Sequence, residues 1–235
     1  MKTIGLIGGM SWEASAVYYR IINELVRAHL GSTHSAKIIM YSFDFAEIEK
    51  LQEQGEWDKL TDIMIDIGQR LKNGGADFVV ICANTMHKMA DALVRQTGIP
   101  LLHIADAAAG EIRKNGLQKV ALLGTKYTME EDFYKARLAQ KHGIEVIIPD
   151  QKEREVIHAV IFQELVQGKI LQSSREAFQI IIEHLHSRGA EGVVLGCTEI
   201  PLLISQKDSL VPIFDTTQIH AEAAVALSLQ EHITM

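Results

Sequence analysis

A cysteine, a hydroxyl and a carboxylate follow one another directly after an apolar stretch late in the chain. Residues 193–195 are strand-forming and run into Gly196, then into Cys197, Thr198 and Glu199. A buried parallel strand ends in this way when it presents reactive groups at its carboxyl end, where α/β sheets bind ligands. A helix start after Cys197 is expected to lower the thiol pKa below its usual value of about 8.5. A buried structural cysteine is the commoner alternative, but the polar neighbours favour catalysis.

An upstream stretch repeats this pattern without the thiol. The apolar residues 79–81 continue into Cys82-Ala83-Asn84-Thr85. Aligning the two apolar runs places Ala83 opposite Cys197. Because side chains alternate along a strand, Cys82 is predicted to point to the other face, into the core. Both cysteines are predicted to be thiols and not a disulfide.

Small hydrogen-bonding side chains at the strand ends predict a pocket for a carboxylate. Asn84, Thr85, Thr125 and Thr198 could hold carboxylate oxygens together with backbone amides. Helix capping is the alternative role of such residues, and the two roles are compatible.

Other catalytic motifs are incomplete. Gly5, Gly8 and Gly9 lack the full spacing of a dinucleotide-binding loop. His184 and His186 stand two residues apart on a predicted helix and cannot share a face, so we predict no metal site. We interpret His87 as a core or surface histidine, with a role near the site as the alternative.

Apolar strands alternate with helical patterns along the chain, which predicts an α/β fold with mainly parallel sheets and helices on both faces. Ser11 is the predicted N-cap of the first helix. Among the later elements, we predict one helix over residues 85–96, a strand over 101–104 and one helix from Thr125 to His142.

The pattern restarts after Asp106, which predicts an internal duplication. Gly8 and Gly124 are separated by 116 residues, and Ala83 and Cys197 by 114. Two matches at nearly one spacing indicate two pseudo-symmetric Rossmann-like lobes. We assign residues 1–104 plus 215–235 to the N-terminal lobe and 105–214 to the C-terminal lobe, with the site in the cleft between them.

Composition narrows the class of protein further. The chain has 235 residues, 47% of them hydrophobic, and a formal net charge of -7. Interspersed acids and bases argue against a nucleic-acid partner. The first strand begins at Thr3 without a basic leader, and no apolar run approaches the roughly 20 residues of a membrane span. We therefore expect a cytoplasmic protein with no membrane partner.

These motifs resemble the aspartate/glutamate racemase superfamily, and within it the cofactor-independent bacterial aspartate/glutamate racemases. The resemblance rests on four segments and covers the whole chain: residues 8–11 (GGMS), 84–87 (NTMH), 124–129 (GTKYTM) and 196–199 (GCTE). It implies two Rossmann-like lobes, a homodimer, a small acidic amino acid as substrate, and no PLP, metal or nucleotide. It also implies two bases on opposite faces of the substrate Cα, one removing the proton and the other returning it.

The resemblance assigns roles to individual residues. Cys197 takes one catalytic position, and Ala83 occupies the other, where the family has Cys or Thr. The implied substrate-binding residues are Met10 through its backbone, Gln52, Asn84, Thr85, Thr125, Thr198 and Glu199. Gln52 stands where some members have Arg, which leaves the choice between aspartate and glutamate open.

Ala83 can neither donate nor accept a proton, and three interpretations remain open. A substitution has disabled one base, a neighbour such as Thr85, His87 or Cys82 serves instead, or the reaction is one-sided. The sequence thus predicts an amino-acid racemase with possible impairment at Ala83. The alternatives are a one-thiol decarboxylase or isomerase of dicarboxylates and a non-catalytic dicarboxylate-binding protein.

Overall fold

The computed structural model describes residues 1–230. Contacts divide the chain into two compact units, which we call the first unit (residues 1–104 and those from His220 onward) and the second unit (105–219). The predicted lobes divide at the same place after residue 104, but the second division falls inside the last helix and not before Asp215. The origin of the units by duplication stays a prediction, and residues 231–235 of the predicted N-terminal lobe lie outside the described part.

The first unit alternates strands and helices as the sequence predicts. Its elements are β1 (Ile4–Gly8), α1 (Trp12–Leu30), β2 (Ile38–Ser42), α2 (Phe45–Glu53), α3 (Trp57–Asn73), β3 (Phe78–Ile81), a 3₁₀ helix (Thr85–Met89), α4 (Ala90–Thr97) and β4 (Leu101–Leu102). Ser11 caps α1, as predicted, because its side chain accepts a hydrogen bond from the Ala14 amide at 3.2 Å.

The second unit has a similar series of elements. These are α5 (Ile104–Lys114), which begins at the unit boundary, β5 (Lys119–Gly124), α6 (Lys126–Glu130), α7 (Asp132–His142), β6 (Glu145–Ile147), α8 (Gln151–Gln163), a 3₁₀ helix (Leu165–Gln167), α9 (Gln172–Ser187), β7 (Gly192–Gly196), α10 (Ile200–Leu203), a 3₁₀ helix (Gln206–Asp208) and β8 (Ile213–Asp215). The last helix, α11 (Thr216–Leu229), continues into the first unit.

Each unit contains one four-stranded sheet in which every pair is parallel. The strand orders are β2-β1-β3-β4 and β6-β5-β7-β8. The chain reverses its direction of winding between β1 and β3 in one sheet and between β5 and β7 in the other. Ligands of such sheets bind outside the carboxyl ends of the strands at this reversal, so the strand order selects β1, β3, β5 and β7 as the strands that position a site.

Three predicted elements differ from the structure. The helix predicted over residues 85–96 begins as a 3₁₀ helix and becomes α-helical only at Ala90. The helix predicted from Thr125 to His142 is interrupted at Glu131, whose backbone is extended (φ −77°, ψ 157°). The strand predicted over 101–104 ends at Leu102, and α5 already begins at Ile104. Helical periodicity does not register such short interruptions, because the apolar positions continue through them.

Alternating side chains place the two strand ends in equivalent environments. Val79, Ile81 and Ala83 belong to one core cluster, packed against α2, α3 and α4. Cys82 points to the opposite face and lies fully buried against α1 and α11, as predicted. In the second sheet, Val193, Leu195 and Cys197 share one cluster with α8 and α9. Ala83 and Cys197 therefore follow their strands on the core side formed by alternate residues.

A half-buried ion cluster fixes α5 to α7 in the second unit. Asp106 accepts hydrogen bonds from Arg137 at 2.8 and 2.7 Å, from Lys141 at 2.6 Å and from His142 at 2.8 Å. Burial alone would raise the pKa of Asp106, but the hydrogen bonds from these three side chains hold it well below its usual range. Within residues 1–230, no helix is long and apolar enough to cross a membrane.

Candidate active site

The carboxyl ends of β5 and β7 bring four predicted site residues together in the second unit. Gly124 and Gly196 are paired in register, so Thr125 and Cys197 leave neighbouring strands at the same level. The backbones are close here: a Cβ on Gly124 would lie 2.8 Å from the carbonyl oxygen of Gly196. Glycine is needed at this pair because a side chain would push the strand ends apart.

Cys197 is buried and hydrogen-bonded to an acidic neighbour. Its Sγ donates to Oε2 of Glu199 at 3.0 Å, and the hydroxyl of Thr198 donates to the same oxygen at 2.8 Å. Cys197 is 8% exposed and Glu199 is 7% exposed. The two side chains form a thiol–carboxylate pair that can pass a proton from sulfur to oxygen over a single hydrogen bond.

The expectation of a lowered pKa for Cys197 is wrong. Burial, then the negative charge of Glu199 and the hydrogen bond to it, raise the thiol pKa well above its usual value. Hydrogen bonds from the backbone amides of Thr198 and Glu199 act in the expected direction, but they are the smaller effect. The following helix, α10, has only four residues and begins at Ile200. The raised pKa favours the protonated form of the Cys197 thiol.

Thr125 and Thr198 have different hydrogen-bonding roles. Thr125 is the N-cap of α6: its Oγ1 accepts from the Thr128 amide at 3.3 Å and lies 3.2 Å from the Thr128 hydroxyl. This is the capping role considered as an alternative. Thr198 caps no helix with its side chain and instead binds Glu199.

The loop after β1 is held in a sharp turn next to Met10. Gly9 has a φ of +87°, and a Cβ there would clash with the Phe43 backbone. The Gly9 amide donates to Oγ of Ser15 at 2.8 Å, and this hydroxyl donates to the Ser11 carbonyl at 3.0 Å. Ser15 was not predicted as part of the site, although its spacing of four residues from the N-cap places it on the first turn of α1.

The end of β3 brings the other predicted residues together in the first unit. Met10, Ala83 and Met86 belong to one core cluster, and Gln52 from α2 joins it because its amide nitrogen donates to Sδ of Met86 at 3.3 Å. Asn84 and Thr85 follow Ala83 directly and are buried. Unlike Thr125, Asn84 makes no side-chain cap of its helix. Ala83, at 8% exposure, brings no titratable group to this end of the sheet.

Histidines contact the backbone after the ends of β3 and β5, and only His87 was considered from the sequence. His87 contacts the Ala83 carbonyl oxygen through Nδ1 at 2.9 Å. His158 of α8 accepts from the Lys126 amide at 3.4 Å, beside Thr125. Burial and the charge of Lys126 lower the pKa of His158 below its usual value. Neither contact can be predicted from the sequence, because the partner of each histidine is a backbone atom that every residue type provides.

One group of side chains has the spacing of metal ligands. Asp150, Glu153 and His184 each bring a ligand atom within 4.8 Å of the others. Asp150 and Glu153 already form the capping box of α8, and His184 pairs with Glu153 at 2.7 Å. These contacts account for the closeness of the three side chains at the start of α8, and the absence of a metal site stays a prediction. The predicted binding of substrate between the lobes stays a prediction.

Fold and site together define a doubly wound α/β protein whose strand ends carry a thiol and small hydrogen-bonding side chains. The chain belongs to the Asp/Glu/hydantoin racemase family, whose sequence profile matches residues 7–224. The family predicted from the sequence motifs is thereby confirmed.

Known proteins similar to this chain include two solved structures and a protein named as an amino-acid racemase. A Yersinia pestis protein assigned to the Asp/Glu racemases is 52% identical, with 98% of this chain and 100% of that chain covered and a TM-score of 0.93. An aspartate racemase homologue from Pyrococcus horikoshii is 38% identical over 97% of this chain and 99% of that one, with a TM-score of 0.84. The broad specificity amino-acid racemase RacX of Bacillus subtilis is 25% identical over 172 residues, 73% of this chain and 74% of that protein.

Proposed function

We propose that this protein is a cofactor-independent amino-acid racemase that interconverts the L and D forms of an acidic amino acid, aspartate or glutamate. The observation that carries the proposal is the hydrogen bond from Cys197 Sγ to Glu199 Oε2 at 3.0 Å. It gives a buried thiol at the end of β7 an immediate proton acceptor. Membership of the racemase family supports the reaction class.

In the proposed first step, Cys197 transfers its proton to Glu199. The thiolate then takes the Cα proton of the substrate, and the electron pair of the broken C–H bond moves into the substrate carboxylate to form an enolate-like intermediate. Asn84, Thr85, Thr125 and backbone amides near Met10 are the proposed donors to that carboxylate. Donors fixed in advance lower the barrier because negative charge grows on these oxygens as the proton leaves.

Ala83 limits the second half of this reaction. Inversion requires a proton from the face opposite the thiol, and a methyl side chain cannot supply one. If Cys197 returns a proton to the face from which it came, the product keeps its configuration and only the hydrogen isotope changes. We therefore expect α-hydrogen exchange to be faster than inversion.

Incubation with L-aspartate or L-glutamate in deuterated water separates the two processes. Wild type is expected to incorporate deuterium at Cα, measured by NMR, and Cys197→Ala to do so at least about 100-fold more slowly, since general acid–base groups contribute that much. Cys82→Ala removes the other buried thiol and is the matched control, with exchange expected near wild type. Exchange that survives Cys197→Ala would refute the role of the thiol.

Substitutions at position 83 test the missing group. Ala83→Cys and Ala83→Thr are expected to raise the ratio of inversion to exchange, measured by chiral chromatography of the D-isomer. Ala83→Val has nearly the shape of the threonine variant without its hydroxyl and is expected to leave the ratio low. Equal ratios in the threonine and valine variants would mean that position 83 supplies no proton.

The raised pKa of Cys197 favours a second candidate, a one-sided reaction in which the thiol acts only as an acid. In a decarboxylation, the bond from Cα to a carboxylate carbon breaks and carbon dioxide leaves. The electron pair of the broken bond remains on the substrate as an enolate. Cys197 then donates a proton to Cα, which forms the new C–H bond. Release of carbon dioxide from a substituted malonate, lost in Cys197→Ala, would support this reaction. Calorimetric binding of a dicarboxylate that survives Cys197→Ala, without exchange in wild type, would instead identify a binding protein.

A further inference from the structure

The buried imidazole of His87 joins a backbone carbonyl just after β3 to a backbone amide at the start of α5. Its Nδ1 lies 2.9 Å from the carbonyl oxygen of Ala83, and its Nε2 lies 3.2 Å from the amide nitrogen of Ile104. His87 is 2% exposed. Both partners are backbone atoms, so their roles as acceptor and donor are fixed.

The 3₁₀ geometry after β3 explains why Ala83 needs this side chain. In an α-helix, the His87 amide would bond to the carbonyl four residues earlier, which is that of Ala83. Here the His87 amide bonds to the Asn84 carbonyl at 3.1 Å instead. The Ala83 carbonyl oxygen is instead hydrogen-bonded to Nδ1 of the His87 side chain. Ile104 is the first residue of α5, where amides have no partner within their own helix.

These partners determine the state of the imidazole. A carbonyl oxygen only accepts, so Nδ1 carries a hydrogen and donates it. The Ile104 amide only donates, so Nε2 is unprotonated and accepts. His87 is therefore neutral, in the tautomer with hydrogen on Nδ1. Using either nitrogen for substrate would break a buried hydrogen bond, which argues against His87 as the replacement for the missing base.

The hydrogen bond to Ala83 also sets the direction of the next amide. In a trans peptide, the carbonyl and the following N–H are coplanar and point in opposite directions. Fixing the Ala83 carbonyl toward His87 therefore also fixes the Asn84 N–H, which points in the opposite direction. Aromatic rings support His87 in place: its ring centroid lies 4.6 Å from that of His103 and 5.6 Å from that of His220.

We propose that His87 is a positioning residue that orients the Asn84 amide and the segment carrying Thr85 for the substrate carboxylate. This inference rests on the proposed racemase function, in which those groups bind the carboxylate. It assigns His87 a task that does not include carrying a proton.

Three variants separate the contacts of His87. In His87→Asn, the side-chain nitrogen can still reach the Ala83 carbonyl. In His87→Gln, the longer side chain can still reach the Ile104 amide. His87→Phe keeps a ring and loses both. His220→Phe is the control, since it removes a buried imidazole that binds Tyr18 and the Leu102 carbonyl but not Ala83.

Nitrogen NMR of wild type and hydrogen exchange of the variants test the geometry without any activity. The expected results are hydrogen on Nδ1 of His87, and backbone amides of residues 84–87 that exchange at least about tenfold faster in His87→Phe but not in His220→Phe. Hydrogen on Nε2, or unchanged exchange in His87→Phe, would overturn the proposal.

Kinetics below the melting temperatures then link geometry to reaction. The value of kcat/KM for α-hydrogen exchange is expected to fall about 10- to 100-fold in His87→Phe, as for small displacements of binding groups. His87→Asn should recover most of it, and the pH profile should keep its shape because no titrating group is lost. A fall no larger than in His220→Phe, or no recovery in His87→Asn, would reduce His87 to a structural role. If wild type shows no exchange, the racemase function fails and with it the carboxylate-orienting role, while the NMR results still decide whether His87 fixes the segment.

Discussion

The ends of β3 and β7 differ in what they contribute, although each follows the same alternation of core-facing residues. At β7, Cys197 and Glu199 form a pair that can exchange a proton. At β3, Ala83 supplies no such group, and the notable contact is the imidazole that holds its carbonyl. Different residues thus hold the backbone at a strand end and carry a proton there. At position 83 the strand end is held in place, although the side chain carries no proton.

One backbone carbonyl of β7 is also held by a side chain, in this case by a hydroxyl and not by an imidazole. The hydroxyl of Thr216, at the start of α11, donates to the Leu195 carbonyl at 2.7 Å. This bond lies two residues before Cys197, whereas His87 binds the carbonyl of Ala83 itself. A side chain therefore holds the carbonyl of position 83 itself in the first unit, but the carbonyl two residues before Cys197 in the second.

The largest effect is expected from substitution of Glu199. This residue is the proton acceptor beside Cys197 at the end of β7, and the end of β3 has no counterpart to it. Glu199→Gln should slow α-hydrogen exchange about 100-fold, at the lower end of general acid–base contributions. The same change should lower the pKa of Cys197, because the charge of Glu199 and its acceptor oxygen both raise it.

The rate of alkylation of Cys197 as a function of pH measures that pKa. Glu176→Gln, on the exposed surface of α9, controls for the loss of one negative charge. A thiol pKa that rises in Glu199→Gln, or exchange that is as fast as in wild type, would contradict the proton transfer from Cys197 to Glu199.

The second prediction concerns the imidazoles behind β3. Burial lowers the pKa of His220 to about 4, with a smaller opposing effect from its hydrogen bond to Leu102. Between this value and the ordinary value of about 6.5, the unfolded chain binds a proton that the folded protein does not, so stability falls as the pH falls. This residue should reduce the free energy of unfolding by about 2 kcal/mol between pH 7 and pH 5.

Urea unfolding of wild type and His220→Phe at both pH values isolates this contribution. The variant is expected to be less stable at pH 7, because Tyr18 and Leu102 lose a partner, but to lose less stability on acidification. Asp106 does not interfere, since hydrogen bonds hold its pKa well below its usual range. The same pH dependence in both proteins would show that His220 is not held neutral.

The smallest expected effect is at the β7 end. Thr216→Val keeps the shape of the side chain but leaves the Leu195 carbonyl without its 2.7 Å donor, which should cost about 1 kcal/mol in unfolding free energy. Thr217→Val is the control, because within residues 1–230 its buried hydroxyl has no hydrogen-bond partner, and its loss should cost little. Thermal unfolding compares the two. A larger loss in Thr217→Val would show that the hydroxyl of Thr216 does not hold β7.

Most strands and helices were predictable because their signals are local. Ser11, Gly9 and the apolar run of β7 each specify a helix start, a turn or a buried strand within a few residues. The 3₁₀ helix at Thr85 and the interruption at Glu131 were missed, since neither changes the apolar periodicity around it. At the site, the sequence identified Cys197 as the thiol, but it gave the wrong direction for its pKa.

The sequence by itself determined the residue types available at each strand end: a thiol at position 197, a methyl group at position 83, and the family to which the chain belongs. Only the tertiary structure decided their electrostatic states. Burial and the orientation of Glu199 raise the pKa of Cys197, and two backbone partners fix the tautomer of His87. These properties depend on desolvation and on hydrogen bonds to backbone atoms, which are set by folding and not by the identity of neighbouring residues.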